Sequence, residues 1–301
     1  MRFTKMHGLG NDYVFVDAAQ EDIADPVGLA RAVSDRHTGV GSDGLILISP
    51  SDRADVRMEM YNADGSRAQM CGNGIRCVAK YAFEHGLCGS TTMLIQTDAG
   101  IREVVCFLSE GYVASVRVNM GTPSLAPASL PSSLPGERIV EHPIPLGGDA
   151  YAVTCVSMGN PHAVIFVDEL DALPVHDLGP LLEHAPPFPE RINGHFVRVD
   201  SPEHLTMRSW ERGSGETRAC GTGACATVVA GVLTGRCRRH CIVALPGGEL
   251  EITWRADEQV EMTGPAVDVF SGRWDTSGAS APQSSRPTTS GAGHVPPAMG
   301  S

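Results

Sequence analysis

Cys220 follows Cys71 by 149 positions, and the same offset links Asn11 to Asn160, Asn62 to Glu211, Gly72 to Gly221 and Gly86 to Gly235. The string MCGNGIRC (70–77) is echoed by ACGTGACA (219–226), and each leads into an apolar run that stops at a glycine. Matches at one shared offset point to two copies of one structural unit. A chain of 301 residues has room for both, each with a core of its own.

Local patterns repeat in the same order. Strands are expected at Phe3–Lys5, Tyr13–Val16, Leu45–Ile48 and Val56–Tyr61, then a turn at NADGS (62–66). A helix over Gly74–His85 is closed by Gly86, and strands follow at 92–97, 101–108 and 112–119. The second half shows strands at 151–157, 163–167, 196–200 and 205–210, a turn at ERGSG and a helix over 222–234. A hairpin over 241–254 turns at Pro246-Gly247-Gly248, one step off the repeat. With six prolines, 121–150 reads as a loose connection. This predicts an α/β (α+β) fold of two lobes. Residues 1–120, with 264–275 returning to them, would carry Cys71, and 121–263 would carry Cys220. Residues 276–301 are 21 of 26 Ser, Thr, Gly, Ala or Pro and read as a disordered tail without a catalytic role.

A net charge of −12 with no basic block argues against nucleic acid or an anionic membrane as the main partner. No apolar run is long enough for a signal peptide or a membrane span, which predicts a cytoplasmic protein. Lys5 and Lys80 are the only lysines, which disfavours pyridoxal phosphate and its Schiff-base lysine. An odd count of nine cysteines at irregular spacing fits reduced thiols.

Each repeated cysteine stands at the start of an apolar helix, beside glycines that let a ligand approach the backbone. Unpaired amides there bind a carboxylate and are expected to lower the thiol pKa from about 8.5. Two such thiols on opposite faces of one carbon can remove a proton and return it to the other side, with no metal or cofactor. Backbone amides around Gly72, Asn73, Gly221 and Thr222 would hold the charge that develops on a carboxylate. Cys77, Cys88, Cys106, Cys155, Cys225, Cys237 and Cys241 read as small buried hydrophobes. Their spacing does not suit zinc, although Cys237, His240 and Cys241 form a lone group. Read singly, the asparagines are turn residues and His162 a turn cap. The residues alone leave open an epimerase, a proline-type racemase and a non-catalytic binding protein.

GLGNDYVFVD, NADGSRAQMCGNGIRC, MGNPHAV and ERGSGETRACGTGACA together resemble the diaminopimelate epimerase family, over residues 1 to about 274. The resemblance implies two pseudo-symmetric domains, each a mixed, mostly antiparallel sheet wrapped around a central helix, with the site in the cleft between them. It implies cofactor-free conversion of LL-2,6-diaminopimelate to the meso isomer, serving lysine and cell-wall synthesis. Cys71 and Cys220 would be the acid/base pair, with His162 and Glu211 tuning them. Asn11, Asn62, Asn160, Asn193, Glu211 and Arg212 would contact the substrate. Two positions depart from relatives: Gly44 stands where some carry glutamine, and Phe270 replaces a tyrosine that helps relatives dimerise. A homodimer remains the expectation.

Overall fold

The computed structural model describes residues 1–275; the expected tail, 276–301, lies outside the described residues. The first half runs β1 (Arg2–Gly8), β2 (Asn11–Asp17), α1 (Pro26–Ser34), β3 (Gly44–Ser49), β4 (Val56–Asn62), β5 (Arg67–Ala68), α2 (Gly72–Glu84), β6 (Thr92–Thr97), β7 (Gly100–Ser109) and β8 (Tyr112–Gly121). The second runs β9 (His142–Leu146), β10 (Asp149–Ser157), β11 (Pro161–Phe166), α3 (Val175–Glu183), β12 (Asn193–Ser201), β13 (His204–Glu211), β14 (Gly215–Thr217), α4 (Gly221–Leu233), β15 (His240–Leu245), β16 (Gly248–Trp254) and β17 (Val260–Gly264), with β18 (Val267–Arg273) last. Adding 149 to the bounds of α1 and α2 returns those of α3 and α4, and β1–β8 find counterparts in β10–β17.

Pairing repeats with the elements. β2–β3 and β4–β6 are parallel, as are β11–β12 and β13–β15; the other pairs are antiparallel. Parallel neighbours need a crossover, and α1–α4 supply the four. The VFV and LILI runs of β2 and β3 are buried on both faces, as sandwiched strands require. Tyr13, Phe15, Ile46 and Ile48 join the core around α2, whereas Val14, Val16, Leu45 and Leu47 join the core under α1. That alternation is the period of two of an extended chain. α2 packs on β1, β2, β4, β6, β7 and β8, and α4 on β10, β11, β12, β15, β16 and β17.

The halves are interlocked. β8 pairs antiparallel with β17, bringing Val118 opposite Met262. β18, which follows the second half, pairs with β1; β9, which follows the first, pairs with β10. Each half thus takes its outer strand from the chain that leaves the other.

Three local expectations need correction. Residues 121–150 are not a loose connection: Leu130, Ile139, Ile144 and Leu146 are buried in the core under α3. Pro143 and Pro145 fall within β9, which pairs on one side only, so their missing N–H groups leave no unmade ladder bond. α1 and α3 went unread in the sequence. α1 carries a signal, since Asp25 caps it by accepting from Gly28 N at 2.9 Å and Pro26 opens it. α3 has no side-chain cap and holds Pro180 inside. Finally, α2 begins two residues before the expected Gly74, so Cys71 itself is the N-cap.

Candidate active site

The cysteine turns occupy equivalent positions with different chemistry. Cys71 caps α2, its sulfur accepting from Gly74 N at 3.4 Å, and its thiol donates to Asn11 Oδ1 at 3.3 Å. Cys220 caps α4 without a side-chain bond to that helix's backbone, its sulfur lying 3.8 Å from Thr222 Oγ1. Its thiol donates to Glu211 Oε2 at 3.2 Å, and Thr217 Oγ1 donates to Glu211 Oε1 at 2.6 Å. The amide at position 62 has therefore become, 149 residues on, a carboxylate that receives the second thiol.

The helix starts lie together. A Cβ built on Gly72 would stand 2.9 Å from Met262 Cε, and one on Gly221 would stand 3.0 Å from Met262 Sδ and 3.8 Å from Asn73 Oδ1. Asn73 Nδ2 donates to Asn11 Oδ1 at 3.3 Å and to Ala219 O at 3.2 Å, joining the turn before Cys220 to the first half. Ten glycine or polar positions were expected to meet here besides the thiols and His162. Of these, Asn11, Gly72, Asn73, Gly221, Thr222 and Glu211 do so through the contacts just given or, for Thr222, through Asn160 Nδ2 at 3.4 Å.

Asn160 and His162 belong to a buried chain. Asn160 Oδ1 lies 2.9 Å from His162 Nε2, His162 Nδ1 lies 2.9 Å from His195 Nε2, and His195 Nδ1 lies 2.9 Å from Ser209 Oγ. Burial pushes the pKa of His162 well down, helped by its neighbour His195 and by Arg212, and burial drives His195 down to about 3. Both rings are neutral at pH 7. His162, His195 and Cys220 offer ligand atoms within 4.8 Å of one another, but each already has a hydrogen-bond partner. An ion there would have to break this chain.

Other expected ligands are engaged elsewhere. Asn193 is buried, donating to Pro161 O at 2.8 Å and accepting from Arg212 N at 2.9 Å, so it ties two loops together. Arg212 is exposed, with Nη1 donating to Glu190 O at 3.1 Å. Asn62 donates to Ser66 Oγ at 3.0 Å within its own turn.

The expected lowering of the thiol pKa is not found. Burial raises Cys71, and the amides of Gly74 and Asn73 with Arg76 offset only part of that. Cys220 rises further, through burial and then the Glu211 carboxylate. Glu211 is itself raised by burial, against its bonds from Thr217 and Cys220. Removal from water outweighs the helix terminus.

A family model described as diaminopimelate epimerase matches residues 3–126 and 154–269. The chain belongs to the diaminopimelate epimerase family. The diaminopimelate epimerase of Acetivibrio thermocellus is 51% identical over 91% of this chain and 99% of its own, and that of Methanococcus maripaludis 46% over 91% and 100%. Among solved structures, a phenazine biosynthesis protein of the PhzF family from Bacillus anthracis superposes with a TM-score of 0.66 at 17% identity, covering 90% of this chain and 98% of its own. A probable proline racemase from Agrobacterium radiobacter does so at 0.67 and 15%, covering 91% and 93%. At such identities the likeness is one of fold: an α+β architecture of mixed sheets, duplicated within the chain.

Sequence reasoning within this family missed Tyr13, Asp43, Arg76, His195 and Ser209, all of which touch or face the site. The signals were a charged residue inside the apolar face of α2 and a histidine inside the apolar β12.

Proposed function

We propose that this protein is a diaminopimelate epimerase, an isomerase that interconverts LL- and meso-2,6-diaminopimelate for lysine and cell-wall precursor synthesis. Membership of the family supports the substrate, and one observation carries the chemistry: two cysteine-capped helices start side by side against Met262.

In the proposed reaction one sulfur takes the α-proton as a thiolate while the other delivers a proton as a thiol. The negative charge that spreads onto the α-carboxylate meets backbone amides at Gly72, Asn73, Gly221 and Thr222. These need no reorientation, because the helices fix them. Glu211 takes the Cys220 proton when that thiol must act as base. Neutral His162 holds Asn160 beside Thr222. Asn11, Asn62, Asn160, Asn193, Glu211 and Arg212 are the proposed contacts to the amino and carboxylate groups. In this reading the proton transfers and the charge are handled by the chain's own side chains and amides. The chain, with all nine cysteines free, suits a reducing cytoplasm. A homodimer through β18 is proposed as well, because Val267, Val269 and Phe270 are exposed on that strand and Phe270 packs edge-on against Phe3.

The deciding experiment is deuterium uptake at the α-carbon from LL- and meso-diaminopimelate in heavy water. Wild-type protein exchanges and epimerises. Cys71→Ser and Cys220→Ser, with unchanged circular dichroism, each lose epimerisation by about 100- to 10,000-fold. A single variant that turns over at near wild-type rate in both directions would end the two-base scheme.

A further inference from the structure

Among the described residues Arg76 is the largest by volume of those wholly buried. Its donors go to neutral acceptors: Nε to Pro265 O at 3.1 Å, Nη1 to Gly72 O at 3.0 Å and Nη2 to Asn73 Oδ1 at 3.0 Å. Among the described residues no carboxylate forms an ion pair with it. Burying a guanidinium this way is unfavourable unless a negative charge forms nearby. The repeat puts Cys225 at the equivalent position, so only the Cys71 half carries this charge.

Its hydrogen-bond chemistry leaves no freedom to the neighbours. Arginine only donates, so the Asn73 oxygen must face it and the Asn73 nitrogen must face Asn11 Oδ1 and Ala219 O. At the other end the Asp43 carboxylate oxygen accepts from Asn11 Nδ2 at 2.7 Å. Both amides are therefore oriented from their two ends, and Cys71 hangs on the shared oxygen of Asn11. The titratable groups that face this cluster are Tyr13 from β2, Cys77 from α2, Cys225 from α4, Glu211 at the end of β13, and Asp43.

We propose that Arg76 is the positioning residue of the Cys71 half-site: it orients Asn73, Asn11 and the Ala219 carbonyl, and its buried charge supports the Cys71 thiolate. This rests on the two-thiol reading above, and its test is independent of turnover. Substrate-free protein is alkylated with iodoacetamide across pH, with peptide mass spectrometry resolving Cys71 from Cys220. In wild type, Cys71 labels with the lower midpoint. Arg76→Met raises that midpoint by about one pH unit or more, a roughly tenfold slowing near neutrality, and leaves Cys220 in place. Arg76→Lys, which keeps a buried donor and charge, restores most of the difference. An unmoved Cys71 midpoint in Arg76→Met, or an equal shift in Arg76→Lys, overturns the proposal. If Arg76→Met does not fold, the wild-type order still decides, because Cys220 labelling before Cys71 contradicts it. Loss of deuterium exchange in the wild type alongside an intact Arg76 effect would sink the reaction and spare the residue's role.

Discussion

At single side chains the two halves part company. Position 62 keeps an amide while position 211 holds a carboxylate; position 46 is an apolar isoleucine while position 195 is a histidine wired to His162 and Ser209. The buried histidines give a testable pH dependence. Their native pKa values lie below the unfolded value of about 6.5, with His195 near 3, so the unfolded chain binds more protons as pH falls. The stability they contribute is present above about pH 6.5 and is lost toward pH 3, at up to about 1.4 kcal/mol per pH unit for each ring. Urea midpoints measured from pH 7 to pH 4.5 should fall along that slope, and His195→Gln should flatten it. A midpoint independent of pH in wild type would mean the rings are charged when folded. Of these residues, Cys71, Cys220 and Glu211 stood out through the repeat, whereas His162 was reached only through the family resemblance that its MGNPHAV string helps to carry. His195 and Arg76 were missed, because a polar residue inside an apolar run marks a candidate without saying what its side chain bonds once it is buried.

Elements were read where periodicity was strong and missed where it was weak. α2 and α4 were recognised, since thirteen-residue helices with a glycine beyond them carry both signals. α1 and α3, nine residues each, bury only four and five residues, too few for a clear period. The first turns of α2 and α4 predict a contrast in tolerance. A Cβ on Gly223 would fall 2.3 Å from His195 Cε1, an aromatic atom held by two hydrogen bonds to its ring. A Cβ on Gly72 meets only flexible methionine ends, Met262 Cε at 2.9 Å and Met120 Cε at 3.5 Å. Gly223→Ala should therefore lose about 1–3 kcal/mol to overpacking, whereas Gly72→Ala should recover part of any loss through helix propensity. Chemical denaturation of both variants checks this; equal losses would show that the His195 ring yields as readily as the methionine.

For the molecule as a unit, the exchange of outer strands matters most. β18 covers β1, where Phe3 meets Phe270 with ring centroids 5.9 Å apart. Ending the chain after Gly264 strips that strand from the first half, though the residues removed belong to the end of the chain. Exposing Phe3 alone costs about 1.5–3 kcal/mol. Hydrogen exchange should then quicken in β1 and β2 and stay slow in β10 and β11. Uniform exchange in all four strands would show that the halves unfold as one unit.

The doubling of the chain, most of its strands, its two long helices and the repetition of one cysteine turn follow from local pattern, because periodicity, glycine stops and repeated strings are all properties of neighbouring residues. Which strand completes which half, the balance that raises both thiols despite the helix ends, and the burial of Arg76 and His195 do not. Those depend on which distant segments exclude water from a group, and exclusion of water is settled only when the two halves close on one another.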